Sequence, residues 1–286
     1  MSDRTNQSTE WQFEDGSPEA YEELFVPVIF SPWAERLVDR ATIEGDENVL
    51  DIACGTGIVA RLVARRVGDA GSVVGVDNDE GMLAVATKTA AAAGLSIEWE
   101  KADVTDLAFT DHRFDIVFCQ QGLPFFEDPR RALVEMRRVV AKDGRVLLNV
   151  GRPLQYQPGW AVLADALTRH LGEKWGNMLS KPFPEWDGKY LRELTQDAGF
   201  GDITVTIEIG TVRFPSVKEF LRRQAVTSPL AEPIGAAPEA VRNDLLEELR
   251  EDLHDYVDDD GVVFPFESFV VDAKPTTRGG HNNTPA

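Results

Sequence analysis

Long apolar runs, cysteine and secretory signals are scarce or absent in this sequence, and each absence argues against a class of protein. No run reaches the roughly 18 apolar residues that a membrane-spanning helix needs. Two cysteines among 286 residues argue against a disulfide scaffold and against a cysteine-bound metal. The N-terminus is polar and lacks the apolar core of a secretory signal. We therefore expect a cytoplasmic protein with no membrane partner and no metal site.

Lysine is also scarce, and the charge balance is strongly acidic. Eight lysines stand beside 21 arginines, and the formal net charge is −20. A protein that binds nucleic acid needs a basic surface to neutralise phosphates, and a protein that binds anionic membranes needs a polybasic face. We therefore expect neither partner. A chain of this length, 43% hydrophobic, can bury one substantial core.

Helical and strand patterns alternate along most of the chain. Short, nearly continuous apolar runs are typical of parallel strands covered on both faces. The alternation predicts an α/β fold, a doubly wound Rossmann-like sheet of seven strands with helical lid insertions. The predicted strands are Val49–Ala53, Ser72–Asp77, Ser96–Lys101, Phe114–Cys119, Gly144–Val150, Ile203–Phe214 and Val262–Asp272. The predicted helices are Ile58–Val67, Glu80–Ala93, Pro129–Val140, Trp186–Ala198 and Pro238–Tyr256.

A glycine-rich turn follows the first predicted strand. Gly55 and Gly57 lack a Cβ, so the turn can pass close beneath a ligand. The second strand ends at Asp77, 20 positions after Gly57. An acid in that place accepts hydrogen bonds from the ribose hydroxyls of a nucleotide-type ligand. The first 100 or so residues are therefore predicted to hold a nucleoside.

Asp51, just ahead of this turn, discriminates between two such ligands. The pattern Gly55-x-Gly57-x-x-Ala60 also fits the dinucleotide fingerprint, but a carboxylate here would repel a pyrophosphate. S-adenosylmethionine carries no phosphate, and Asp51 could accept from its ammonium group directly or through water. Alternatively, Asp51 only caps the following helix. The residue pattern favours S-adenosylmethionine over NAD.

Several motifs, in order, resemble one enzyme family over about residues 20 to 150. The stretch from Leu50 to Gly57 is similar to motif I of the class I S-adenosylmethionine-dependent methyltransferases. The small-molecule branch that includes the ubiquinone and menaquinone C-methyltransferases is the most similar. The motifs that carry the resemblance are Leu50-Asp51-Ile52-Ala53-Cys54-Gly55-Thr56-Gly57, Gly75-Val76-Asp77-Asn78-Asp79-Glu80-Gly81-Met82-Leu83, Ala102-Asp103-Val104, Phe114-Asp115-Ile116-Val117-Phe118-Cys119-Gln120-Gln121, Leu133-Val134-Glu135-Met136-Arg137-Arg138-Val139-Val140 and Asp143-Gly144-Arg145-Val146.

The resemblance implies a set of cofactor contacts. Asp103 would accept from the adenine amino group, with Val104 offering its backbone N–H nearby, and Met82 would lie against the adenine face. Gln120 and Gln121, after the fourth strand, would line the cofactor and the reacting methyl. The whole predicted cofactor set is Tyr21, Asp51, Ala53, Gly55, Gly57, Asp77, Asn78, Met82, Asp103, Val104, Gln120 and Gln121.

The chain is expected to form one methyltransferase domain over residues 21–275, with a cofactor half at about 42–150. Additions at about 21–41, 152–186 and 215–260 are predicted to form a lid and a substrate pocket, although their aromatic residues also suit plain core packing. Tyr21 would reach the cofactor from the first addition. Residues 1–20 and 276–286 are predicted to be flexible.

The expected reaction is in-line methyl transfer to a carbon, oxygen or nitrogen atom of a small, partly hydrophobic acceptor. The sulfonium supplies the electrophile, so the protein chiefly positions and desolvates the reactants. The sequence identifies no catalytic base and leaves the oligomeric state open. An NAD-dependent oxidoreductase stays as the alternative, although no Tyr-x-x-x-Lys constellation occurs. A protein that uses the same cofactor fold without methyl transfer stays as another.

Overall fold

One mixed sheet organises the part of the chain that the computed structural model describes, residues 17–68 and 70–276. Its strands are β1 (Asn48–Ile52), β2 (Ser72–Asp77), β3 (Glu98–Lys101), β4 (Phe114–Gln120), β5 (Val140–Gly151), β6 (Phe200–Phe214), β7 (Val257–Asp258) and β8 (Gly261–Pro275). Their order is β3-β2-β1-β4-β5-β8-β6, and the two-residue β7 pairs only with β8. The predicted doubly wound fold is confirmed, with seven strands along the continuous path.

Strands β1 to β5 are parallel to one another, whereas β8 runs antiparallel to both β5 and β6. The chain passes from β1 outward to β2 and β3, then returns to place β4 on the other side of β1. A crevice opens beyond the carboxyl ends of the strands where the order reverses in this way. The topology therefore places a ligand site at the ends of β1 and β4, between the turns that follow them.

Helices cover both faces of the sheet, and further helices surround the crevice. They are α1 (Pro18–Leu24), a π-helical turn (Val26–Phe30), α2 (Ser31–Ala41), α3 (Ile58–Ala64), α4 (Glu80–Ala92), α5 (Pro129–Val139), α6 (Pro158–Leu171), α7 (Glu173–Met178), α8 (Gly188–Asp197), α9 (Val217–Val226), α10 (Ala231–Ala236) and α11 (Glu239–Asp252). The predicted additions at 21–41, 152–186 and 215–260 contain α1 and α2, α6 and α7, and α9 to α11.

Local capping explains where several elements begin. The Asp79 carboxylate accepts from the backbone N–H groups of Gly81 and Met82 at the start of α4. The Ser17 hydroxyl likewise accepts from Ala20 N at 3.1 Å and starts α1 at Pro18. Such caps satisfy amides that have no partner within the helix. Three residues of the segment predicted to be flexible, 18–20, are therefore helical; residues 1–16 and 277–286 lie outside the described residues.

Two predicted boundaries are wrong by four residues, whereas the other observed bounds lie within three residues of the predicted ones. Strand β5 begins at Val140, not Gly144, because Val140 pairs with Phe114 across a register shift and α5 already ends at Val139. Helix α11 ends at Asp252, four residues before the predicted end at Tyr256, which instead belongs to a short 3-10 turn. Edges of this kind depend on tertiary pairing, which local periodicity does not carry.

The additions enclose an aromatic cluster beside the crevice. The Trp160 ring lies 5.2–5.8 Å, centroid to centroid, from four phenylalanine rings supplied by α9, β8 and the segment after α7. These four are Phe183, Phe220, Phe264 and Phe266. Edge-to-face contacts of this kind stabilise a cluster beyond simple burial. The additions therefore form a rigid wall as well as a cover. No helix in the described ranges is both long and apolar enough to cross a membrane.

Candidate functional site

The turn between β1 and α3 adopts a backbone that few side chains tolerate. Ala53, Gly55 and Gly57 all have positive φ angles, of 53°, 54° and 84°. A Cβ at Gly55 would meet nothing closer than Tyr21 Cε1, at 4.0 Å. The backbone conformation therefore favours glycine at position 55, and the space above it stays open to a ligand.

Gly57 lies against a side chain of the sheet. A Cβ at this position would lie 2.4 Å from the ring of Trp99, on β3. The nearby Gly75 of β2 meets the same ring at 2.3 Å. Both glycines therefore make room for the Trp99 indole, which fills the space between the sheet and the turn. Close approach of a ligand to Gly55 and Gly57 stays a prediction.

Asp77, at the end of β2, holds the turn in place. One carboxylate oxygen, Oδ2, accepts from Gly55 N at 2.8 Å, and Oδ1 accepts from Asp79 N at 3.0 Å. A carboxylate has about four lone-pair positions, so two backbone bonds leave capacity for further donors. The side chain thus supports the glycine turn and still offers both oxygens to a diol.

Asp51 is almost completely buried, with 1% of its surface exposed. Its Oδ2 accepts from Ala60 N, in α3, at 3.0 Å, whereas Oδ1 is buried without a partner. Burial raises the pKa of Asp51 to about 8, and the negative charge of Asp77 adds to this, against the opposing bond from Ala60. Oδ2 therefore bonds to the first turn of the helix, as the capping alternative predicts, whereas Oδ1 is left for a further donor.

A cavity of about 1080 Å³ opens at the carboxyl ends of β1, β2 and β4. Small-molecule sites usually measure about 300–1,000 Å³, so this cavity has room for a cofactor and an acceptor together. Ten of the predicted contact residues line it: Tyr21, Ala53, Gly55, Asp77, Asn78, Met82, Asp103, Val104, Gln120 and Gln121. Asp51 and Gly57 do not, because Asp51 lies beneath the turn and Gly57 faces Trp99.

Tyr21 enters the cavity from α1, as predicted for the first addition. The helix is held to the glycine turn by an ion pair of 2.6 Å between Glu22 and Arg61, and Arg61 also donates to the Thr56 carbonyl. Burial, and then the charge of Asp77, raise the pKa of the Tyr21 phenol well above its usual value. The phenol therefore stays protonated and offers a hydrogen-bond donor beside Asp77.

The two glutamines at the end of β4 behave differently. Gln120 donates from Nε2 to Phe30 O at 2.8 Å, and its Oε1 is buried without a partner. The Gln121 amide is already engaged, accepting from Gly151 N at 2.8 Å and donating to Ser268 Oγ at 3.0 Å. Gln121 therefore ties β4 to β5 and β8, and its contact with the cofactor stays a prediction.

Asp103 lies exposed at the cavity wall after β3. Its Oδ1 accepts from the backbone and hydroxyl of Thr105, both at 2.8 Å, and these bonds lower its pKa. The carboxylate is therefore ionised at neutral pH and can accept a hydrogen bond from a ligand amino group. Val104 beside it is buried, whereas Met82 is partly exposed to the cavity.

The residues at the far side of the cavity lie mostly in the additions that were predicted to form a substrate pocket, although the sequence did not single out Gln224 or Phe266. They come from the additions and from β8, and they include Phe25, Ile29, Trp160, Phe183, Gln224 and Phe266. One of them carried a usable signal: Gln224 lies four residues after Phe220 on the apolar face of α9. A polar residue on such a face is either satisfied internally or exposed to a ligand.

The donors and acceptors of the site fit S-adenosylmethionine. Buried oxygens without partners lie at Asp51 and Gln120, and carboxylates lie at Asp77 and Asp103. This acceptor-rich set suits an ammonium, a ribose diol and an adenine amino group, and it opposes a pyrophosphate. Within the described ranges, no cluster of three His, Cys, Asp or Glu residues is arranged to hold a metal ion.

Known proteins share this architecture and these motifs. Residues 49–144 match the family described as a methyltransferase domain. A demethylmenaquinone methyltransferase of Thermus thermophilus is 39% identical over 116 residues, which are 41% of this chain and 52% of that protein. A demethylmenaquinone methyltransferase of Listeria monocytogenes is 30% identical over 166 residues, 58% of this chain and 69% of that protein. The chain thus spans about half the length of the Thermus relative.

A solved structure from Bacillus halodurans superposes with a TM-score of 0.60, covering 85% of this chain and 99% of that one, at 23% identity. At that identity the likeness shows a shared fold. The motif resemblance is confirmed by the sequence relatives, and the acceptor-rich turn agrees with it. The chain belongs to the class I S-adenosylmethionine-dependent methyltransferases.

Proposed function

We propose that this protein transfers the methyl group of S-adenosylmethionine to a small, partly hydrophobic acceptor. The observation that carries the proposal is a single cavity whose turn side presents oxygen acceptors and whose far side is aromatic. When bound, the cofactor supplies a methyl group already activated on a sulfonium. The chain therefore has to bind, orient and desolvate the two reactants, which are the tasks that this cavity can perform.

Each end of the cofactor has a matching group on this chain. Asp77 would accept from the ribose hydroxyls, and Asp103 would accept from the adenine amino group. Gln120 Oε1, at the cavity wall, would accept from the ammonium directly, and Asp51, which does not line the cavity, would accept through water. The Tyr21 phenol covers the glycine turn and would exclude water from it.

The relatives narrow the acceptor class. The Thermus and Listeria proteins are both named demethylmenaquinone methyltransferases, and an aromatic chamber suits a quinone-type ring. No histidine lines the cavity among the described residues. An acceptor with its own acidic hydroxyl would need no base from the protein. We accordingly propose a quinone-type acceptor that carries its own acidic hydroxyl. We also propose a cytoplasmic location, which suits a protein whose two cysteines are free and buried.

Calorimetry of the purified chain tests the cofactor assignment. Wild type is expected to bind S-adenosylmethionine and S-adenosylhomocysteine with micromolar affinity and to bind NAD much more weakly. Asp77→Ala should weaken S-adenosylmethionine binding at least tenfold, because it removes the diol acceptor and the partner of Gly55 N. Asp202→Ala, on an exposed position of β6, should leave the affinity unchanged. Tighter binding of NAD than of S-adenosylmethionine would move the protein to the oxidoreductases.

Cofactor binding should also release a proton near pH 7. Asp51 has a pKa of about 8 without a ligand, and a neighbouring ammonium favours its ionised form. The calorimetric binding enthalpy at pH 7 is therefore expected to differ between phosphate and Tris buffers by a fraction of their difference in ionisation enthalpy. Asp51→Asn should remove most of that difference. Equal buffer dependence in the two proteins would show that the ammonium does not act on Asp51.

A further inference from the structure

The far side of the cavity forms an apolar chamber, which we define by Ile29, Trp160, Leu179, Phe183 and Phe266. All five side chains are buried, with 3–6% of their surface exposed. Three of them are aromatic rings at centroid separations of 5.2–5.8 Å from each other. The chamber therefore has fixed aromatic walls, which suit a planar hydrophobic ring.

One polar side chain interrupts this apolar wall. Gln224 lines the cavity from α9 with 3% of its surface exposed, and its Nε2 is buried without a hydrogen-bond partner. The next two polar residues of the lining are occupied locally. The Thr227 hydroxyl donates to Arg223 O at 2.6 Å, and the Ser228 hydroxyl donates to Gln224 O at 2.5 Å.

A buried amide donor without a partner is costly to the folded protein. Such groups concentrate where a ligand supplies the missing partner. The helix that carries Gln224 is anchored to the end of α1, because Arg223 donates to Leu24 O at 3.2 Å. The amide is therefore held in place at the wall of the chamber.

We propose that Gln224 determines which acceptors bind, by donating a hydrogen bond from Nε2 to an oxygen atom on an aromatic ring held in the chamber. The inference rests on the proposed function, since it names the atom by which the acceptor is recognised. An N–H donor pairs with a carbonyl, hydroxyl or phenolate oxygen and repels an ammonium. Lys181 also lines the cavity, and its positive charge likewise favours an acceptor oxygen over an acceptor ammonium.

The oxygen atom on the acceptor ring should contribute strongly to the difference in affinity between acceptors. A site built to hydrogen-bond one polar atom rejects an analogue without it far more strongly than an apolar pocket rejects a missing methylene. Two probes of nearly the same shape separate these contributions: 1-naphthol carries the oxygen, and 1-methylnaphthalene replaces it with a methyl group.

The experiment measures binding of both probes to the full chain in saturating S-adenosylhomocysteine. Wild type is expected to bind 1-naphthol at least tenfold more tightly than 1-methylnaphthalene. Gln224→Leu, which is nearly isosteric, should bring that ratio close to one while leaving the affinity for S-adenosylhomocysteine within twofold. Gln196→Leu, a matched change on an exposed position of α8, should keep the wild-type ratio.

Gln224→Met serves as a second variant, since it keeps the length of the side chain but offers no N–H donor; it should lose 1-naphthol binding as Gln224→Leu does. A ratio that stays tenfold in Gln224→Leu, full 1-naphthol affinity in Gln224→Met, or equal binding of both probes by wild type would overturn the role of Gln224. If the wild-type protein did not bind S-adenosylhomocysteine, the proposed function itself would be overturned. The melting temperature of each variant checks that it folds.

Discussion

Gly159→Ala is expected to lower the free energy of unfolding by about 3 kcal/mol, the upper part of the usual range for overpacked cores. Gly159 lies in the first turn of α6 against the face of Phe264. A Cβ added there would lie 2.3–2.6 Å from three atoms of that ring. The ring cannot move aside, because Trp160 and Phe220 hold it at centroid distances of 5.5 and 5.1 Å.

Urea unfolding followed by circular dichroism measures this loss. Gly188→Ala is the matched control, since its Cβ would meet Phe269 and Val205 at 3.6 Å, an ordinary contact distance. Its effect is expected to lie within about 0.5 kcal/mol of zero, because alanine also has the better helix propensity. Equal stabilities of the two variants would contradict the rigid aromatic wall.

The second large effect concerns pH. The pKa of Asp51 is about 8 in the folded protein, against a reference value of 3.8. Between these values the unfolded chain has lost a proton that the folded chain keeps. Stability must therefore fall as pH rises through this window. From pH 5.5 to 7.5 the expected loss is about 2.5 kcal/mol, at roughly 1.4 kcal/mol per pH unit.

Unfolding midpoints at both pH values, at constant ionic strength and without cofactor, test this expectation. Asp51→Asn keeps an acceptor for Ala60 N but cannot ionise, so its stability should change much less over the same interval. Carboxylates whose pKa is lowered, such as Glu135 and Asp258, are ionised in both states above pH 5.5 and add no slope. Asp202→Asn, at an exposed position, should retain the wild-type slope. An unchanged slope in Asp51→Asn would contradict the assignment.

The cofactor half could be predicted from the sequence because its signals are local. Asp77 at the end of β2 and Gly55 in the turn were recognised from their positions in the motif, and both line the cavity. Strand β2 was predicted with its observed bounds, Ser72–Asp77. These features depend on neighbouring residues in the chain and on one backbone turn.

The roles of other residues could not be predicted from the sequence, because these residues contact partners that lie far away in the chain. A Cβ at Gly57 would collide with Trp99, which lies 42 positions away in the chain. The Gln121 amide is used by Ser268, 147 positions away. Helical periodicity places Gln224 on the apolar face of α9, but the chamber that this face meets depends on how α9 packs against α1. Contacts of this kind follow from the completed sheet, and no periodicity in the sequence encodes them.

The position of β8 has a consequence for how the protein is made. This strand, the last in the described part of the chain, lies between β5 and β6 and pairs with both. During synthesis, β6 therefore has no neighbour to bond with until residue 275 leaves the ribosome. At about 5–20 residues per second, the open edges of β5 and β6 stay exposed for several seconds. Nascent chains of this protein should be most prone to aggregate, and most dependent on chaperones, in that interval.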